Sequence, residues 1–383
     1  MEFSLTEEQQ QLKESLRRYL GKTYTFDTRR QQLKSGQKFS AAHWNTFAEF
    51  GLLGIGVAEE FGGLGTAGNT AEDIMVVMEC FGRSLVVEPY LSSVVVCGGI
   101  LRDRGSAAQS ERLLTELVAG SRTMALAANE RRGRYQLSHV ATAAMRDGDN
   151  FVLNGNKSVV LHGDVANTLI VSARTSGMTG DESGISLFVV DKGTAGLSVR
   201  GYPTFDGLRA AEIELRNVRV SMDALIGPAD TAFETIERAV GYGIAGLCAE
   251  AVGAMDALGE QTLDYLKTRK QFGVAIGTFQ VLQHRMVDMF IATEQARSIT
   301  LLAALKASSS DTGERRRVLS AAKALVGQSA RLVGQQAVQL HGGMGVTDEL
   351  PVSHYFKRLT AIDLTFGDVG YHRGRLGDML AAA

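Results

Sequence analysis

The feature that most constrains this chain is a hydrophobic period that changes twice. Up to about residue 120 apolar residues recur at helical spacing, between Ser121 and Ile226 they alternate, and after Pro228 the helical spacing returns and persists. A period of 3.6 buries one stripe of a helix and a period of 2 buries one face of a strand. The chain is therefore expected to be α+β, with an N-terminal α-helical domain over 1–120, a middle antiparallel, barrel-like β-domain over 121–226, and a C-terminal four-helix bundle over 227–383. At 383 residues, 45% of them hydrophobic and 21% charged, each part can bury a core of its own.

Local signals fill in the elements. Thr6 reads as an N-cap, with Glu7 and Glu8 at the positive end of the dipole of a helix running to Leu20. A second helix is expected over Ala41–Phe50, stopped by Gly51, and a third over Ala71–Phe81, followed by Gly82 and Pro89 as turn residues. In the β part, Asn154-Gly155 predicts a type I′ hairpin, because both residues tolerate positive φ. Further strands are expected over Asn167–Ala173, Gly184–Val190, Leu197–Tyr202 and Ala211–Val220. In the last part, Leu282, Met286, Met289, Phe290 and Thr293 share one face, as do Val318, Ala322, Leu325, Ser329 and Val333. Short loops such as Ser308–Glu314 would join these helices antiparallel.

Several functions are argued against. A formal net charge of −2 leaves no surplus of Lys and Arg for a general nucleic-acid or anionic-membrane surface. Cys80, Cys97 and Cys248 lack CxxC spacing and lie in apolar surroundings, so neither a disulfide framework nor a metal site is expected, and a reducing cytoplasm fits best. The N-terminus MEFSLTEEQQQLKESL is acidic and polar where a signal peptide would be basic and then apolar. No apolar run approaches the ~18 residues a membrane span needs.

Three strings carry more than periodicity: FGLLGIGVAEEFGGLG (Phe50–Gly65), RKQFGVAIGTFQVLQHRMVDM (Arg269–Met289) and VQLHGGMGVTDELPVSHYFKR (Val338–Arg358). In this order and spacing the chain resembles the acyl-CoA dehydrogenase family along essentially its whole length, and in particular the branch of heteromeric dehydrogenases that includes the pimeloyl-CoA dehydrogenase small subunit. The resemblance implies FAD as cofactor, with contacts from Arg269, Gln271, Phe272, Gln280, Gln339, Gly342 and Gly343 reaching the FAD of a neighbouring chain. The chemistry agrees. Arg269 offers a rigid fork of donors to a pyrophosphate, Phe272 is expected on the same helical side to pack the adenosine, and the glycines let backbone N–H groups approach an anion. A solvated arginine and a helix C-cap at Gly342 are the structural alternatives.

The flavin ring in the family lies beside a Thr-Glu-Pro turn and a Trp-Ile-Thr strand. Counting back from Gly155 and Lys157, these fall on Asn129, Glu130 and Arg131, and on Val159, Val160 and Leu161. Asn129 can still hydrogen-bond a flavin, whereas Val159 offers little stacking surface and Leu161 no hydroxyl.

The α-proton of a thioester needs a carboxylate base, and the family's two usual positions hold Phe366 and Gly243 here. Glu250 is one candidate, seven residues beyond Gly243 on the same helix face and about 10 Å along it. Its small apolar surroundings favour a raised pKa, and pairing with a buried Arg or Lys is the structural alternative. Asp368 is the second candidate, on a position that faces the cofactor in the family. His341, His354 and His372 are read as structural, and Glu59, Glu60 and Glu130 as surface or capping residues.

The resemblance thus implies α,β-desaturation of an acyl-CoA, electron-transfer flavoprotein as the electron acceptor, and a homo- or heterotetramer. The alternatives are a flavin oxidase or monooxygenase on the same fold, and a non-catalytic partner that clamps the FAD of a sister chain.

Overall fold

The computed structural model describes residues 5–65 and 70–381. The chain forms two compact units, one comprising the residues up to Ser35 with Ala71–Val86 and Ile244–Ala383, the other Gly36–Thr70 with Val87–Gly243.

In the first unit α1 (Glu7–Thr23) starts where its sequence says: Thr6 Oγ1 accepts from the Gln9 N–H and the Gln9 side chain accepts from the Thr6 N–H. It is joined by α2 (Phe26–Lys34). The helix α4 (Thr70–Ser84) runs through Gly82, which the sequence had suggested as a turn residue. Gly82 instead serves a helix crossing. A Cβ there would lie 1.8 Å from the carbonyl oxygen of Glu250 on α7 (Phe233–Thr268), and a Cβ on Gly253 would lie 1.9 Å from that of Glu79. Two glycines, one per helix, let the backbones touch.

The remaining helices are α8 (Gln280–Ala307), α9 (Thr312–His341), α10 (Pro351–Leu364) and α11 (Val369–Ala381), with α8, α10 and α11 all packed on α9. The buried side of α9 is mostly small (Ala322, Ala324, Val326, Ala330, Val333, Ala337), which permits this close packing. Helix α8 buries Met289, Ala292, Thr293, Ala296 and Ala303. Phe290, expected on that face, is 65% exposed, and Val281, Val287 and Ile291 are exposed in part.

The second unit carries α3 (Ala41–Glu49), α5 (Gly98–Arg104), α6 (Ala107–Val118) and the β-sheet. Its strands are β1 (Met124–Ala127), β2 (Ala143–Asp147), β3 (Asn150–Leu161), β4 (Thr168–Arg174), β5 (Ile185–Asp191), β6 (Leu197–Pro203), β7 (Arg209–Ser221) and β8 (Leu225–Ile226). They lie in the order β6-β7-β3-β2-β4-β5-β8, antiparallel for the most part, with β1 parallel to β4. Alternate residues build the core, where Phe151 and Phe188 meet edge-on at 5.0 Å among Leu153, Val171, Ile213 and Val218.

The predicted turn at Asn154-Gly155 is absent, since both residues lie inside β3. The β2–β3 hairpin turns at Gly148-Asp149, with Asp147 opposite Asn150 and Gly148 at φ +60°. Gly155 is required for another reason: a Cβ there would come within 2.5 Å of Thr142 Oγ1. Among the described residues no helix is long and apolar enough to cross a membrane, and Cys80, Cys97 and Cys248 are free and buried.

Candidate functional site

Helix α7 ends at Thr268, so Arg269 and Phe272 do not share a helical face. The chain turns instead into a small hairpin, β9 (Lys270–Gln271) and β10 (Val274–Ala275), with Phe272 and Gly273 at its tip in left-handed conformations. The hairpin holds Phe272 92% exposed, its ring edge-on to Phe279 at 6.2 Å. Arg269, Gln271 and Gln280 are exposed beside it, and Arg269 has no ion-pair partner among the described residues.

At the other end of this surface Gln339 is exposed on the last turn of α9, and Gly342 (φ +60°) caps the helix by donating its N–H to the Gln339 carbonyl. The two elements are tied together by a contact the sequence did not reveal. Tyr265, one turn before Arg269, stacks on His341 at 4.4 Å and donates its hydroxyl to the His341 carbonyl at 3.4 Å. No heavy atom lies within 4 Å of where a Cβ on Gly342 or Gly343 would sit, so their backbone is open to a ligand. A free guanidinium, an exposed aromatic ring and open glycine backbone on one unit fit the pyrophosphate and adenosine of FAD.

The residues expected beside the flavin ring belong to the second unit. Asn129 is exposed just past β1, and its carbonyl accepts from the Ser158 N–H at 2.9 Å. Strand β3 breaks register between Lys157 and Val160, and Val159 in that break is 55% exposed with φ +51°. A β-branched residue held there stores about 1–3 kcal/mol of strain. Leu161 is half-buried opposite Ala210.

Glu130, expected at the surface or as a cap, is instead buried. Its Oε1 accepts from Lys157 Nζ at 2.8 Å and from the N–H and hydroxyl of Thr142, and its Oε2 accepts from the Ala141 N–H. Burial raises the Glu130 pKa, but Lys157 and Thr142 more than offset it and the net direction is down. Burial pulls Lys157 down to about 8 against the opposing pull of Glu130. This pair was missed because neither residue is unusual locally.

The candidate bases come out as follows. Glu250 is buried and clasped by Arg358, whose Nε and Nη2 donate to Oε1 and Oε2 at 2.6 and 2.7 Å. That is the structural alternative named above, with both carboxylate oxygens taken up by the guanidinium. Asp368 Oδ1 accepts from the Tyr371 N–H and caps the start of α11. Phe366 is half-buried at φ +59°, in a loop whose carbonyls are fastened: Lys323 Nζ donates to those of Asp363 and Gly367, and His372 Nε2 to that of Phe366. Burial, with help from the Lys323 charge, holds His372 at a pKa of about 4, so it is neutral. His354 contacts Asp348 and Arg29, and Glu59 and Glu60 are exposed.

The helical–β–helical order of the chain, with Arg269, Phe272 and the Gly342-Gly343 backbone exposed on its helical unit, is that of a flavoprotein oxidoreductase. Models of the acyl-CoA dehydrogenase N-terminal, middle and C-terminal domains match residues 6–121, 114–218 and 230–380, and the chain belongs to the acyl-CoA dehydrogenase family. It is 28% identical to a short-chain specific acyl-CoA dehydrogenase of Clostridium acetobutylicum over 93% of each chain. It is 26% identical to the caffeyl-CoA reductase-Etf complex subunit CarC of Acetobacterium woodii over 92% of each chain. Among solved structures, a variant of the Tcur3481-Tcur3483 steroid ACAD superposes with a TM-score of 0.87 at 29% identity over 98% of each chain. Members of the family are FAD-dependent oxidoreductases acting on CH–CH bonds, and FAD is the cofactor of this chain.

Proposed function

We propose that this acyl-CoA dehydrogenase works as one half of a heterotetramer, in which a sister chain supplies the carboxylate that removes the α-proton. The carrying observation is the two-pronged Arg358–Glu250 pair, which occupies the candidate base while Gly243 and Phe366 stand at the family's usual positions. Arg269, Phe272, Gln280, Gln339 and the Gly342-Gly343 backbone are exposed, which suits residues that serve the FAD of a neighbour. Asn129, Val159 and Leu161 face the flavin ring on this reading, and Asp368 stays at the cofactor side. FAD supplies the hydride acceptor when bound. The residues of this chain bind and orient it.

The relative named as a subunit of a reductase-Etf complex supports association with electron-transfer flavoprotein. The steroid-linked structural neighbour supports a CoA thioester with a large, ring-bearing acyl group. Three free, buried cysteines suit a reducing cytoplasm.

The test is to compare the chain expressed alone with a tagged chain recovered from its own cells. Alone, it is expected to hold well under one FAD per chain and to resist anaerobic bleaching by acyl-CoA. The recovered assembly should contain a second chain of the same family and bleach fully. Full flavin and full bleaching by the lone chain would sink the proposal.

A further inference from the structure

We propose that the buried Lys157–Glu130 pair is a positioning element for the flavin-ring side of this chain, holding Asn129 against the Val159 break before cofactor binds. The inference rests on the reading that Asn129 and Val159 face the ring.

The argument starts from what the sheet cannot do. In the β3–β7 ladder Lys157 pairs with Ile213 and Val160 with Ala211, but Ser158 and Val159 have no partner. Ladder hydrogen bonds therefore do not set where Val159 points, and its left-handed backbone must be held by something else. The Val159 N–H donates to Glu212 Oε1 at 3.4 Å, and two adjacent cross-links hold the segment beside it. The Ser158 N–H donates to the Asn129 carbonyl, and one residue away on each segment Lys157 Nζ donates to Glu130. The second link is anchored at both ends. Lys157 also donates to Ser172 Oγ on β4 at 2.9 Å, while the Glu130 carboxylate ties down the N–H groups of Ala141 and Thr142.

Stability alone does not call for an ion pair here. Burying a lysine at 0% exposure is costly, and an apolar pair of similar volume is commonly as stable. What the charges add is direction. Glu130 accepts four hydrogen bonds, so its backbone, and with it the neighbouring Asn129, has one position. Such preorganisation keeps a binding group where the ligand needs it.

The experiment uses the full chain, recovered with its partner chain for the FAD titration, as the double variant Lys157→Met/Glu130→Met, which keeps volume and removes direction, and as Asn129→Ala. Thermal melting, amide hydrogen exchange at Ser158 without flavin, and FAD affinity are measured on each. For the double variant we expect near-wild-type melting, Ser158 exchange faster by about tenfold or more, and FAD binding weaker by about tenfold. A double variant that keeps both Ser158 protection and FAD affinity overturns the inference, because the pair then only fills space. If Asn129→Ala weakens FAD while the double variant does not, the positioning role fails and the ring-side reading survives. If Ser158 exchange accelerates but neither variant changes FAD affinity, the ring-side reading itself fails. Should the double variant not fold, Lys157→Arg keeps the charge but misdirects it, and wild-type Ser158 protection and FAD affinity there would equally overturn the inference.

Discussion

Removing Arg358 decides what Glu250 is for. In Arg358→Leu the Glu250 carboxylate, 4% exposed, loses both guanidinium donors and stays inside the helical unit. Breaking one side of a buried pair costs about 3–5 kcal/mol. A chain of 383 residues unfolds with an entropy of about 0.8 kcal/mol/K, so the melting temperature should fall by roughly 4–6 °C. Replacing both partners by leucine should recover most of that loss, because no charge remains unpaired. Differential scanning calorimetry reads both. Glu250→Gln then separates structure from chemistry. In the FAD-loaded assembly its turnover should fall less than about tenfold, whereas loss of a general base costs about 10²–10⁴-fold. An Arg358→Leu protein that melts like wild type, or a folded Glu250→Gln assembly slowed a hundredfold, refutes the reasoning.

Arg269→Ala should weaken FAD retention about tenfold or more through loss of a charge-assisted contact worth about 1.5–3 kcal/mol, with melting unchanged; equal FAD affinity in a titration would remove Arg269 from the site. His372 is held at about 4 when folded and near 6.5 when unfolded, so between these pH values only the unfolded chain takes up its proton. Its contribution to stability is complete above pH 6.5 and is lost as the pH falls to 4. Urea unfolding of His372→Gln should show a shallower decline across that window, and an identical decline would acquit His372. Gly82→Val should prevent α4 and α7 from closing, since its Cβ would sit 1.8 Å from the Glu250 oxygen, and should cost at least about 3 kcal/mol or yield insoluble protein; wild-type stability in denaturant would contradict the crossing.

What the amino-acid sequence determined alone is whatever depends on neighbours a few residues apart. The switch of period marks β1 to β8 off from the helices because one-sided burial imposes the period locally. Thr6, Gly51 and Gly342 mark helix ends because cap geometry spans only a turn. The family strings are equally local, which is why Arg269, Gln339 and Gly342 could be picked out before their exposure was known. Tertiary structure decided the rest, and each time the competing partner came from far along the chain. Gly155 looked like a turn residue until Thr142 packed against it, and the turn fell to Gly148. Phe272 left the helical face of Arg269 because α7 stops and a hairpin begins. Glu130 went inside to meet Lys157, and Glu250 met Arg358 across 108 residues of chain. A carboxylate in an apolar stretch reads the same whether it will be a base or half of an ion pair. The guanidinium that pairs with it here is brought to it only by folding.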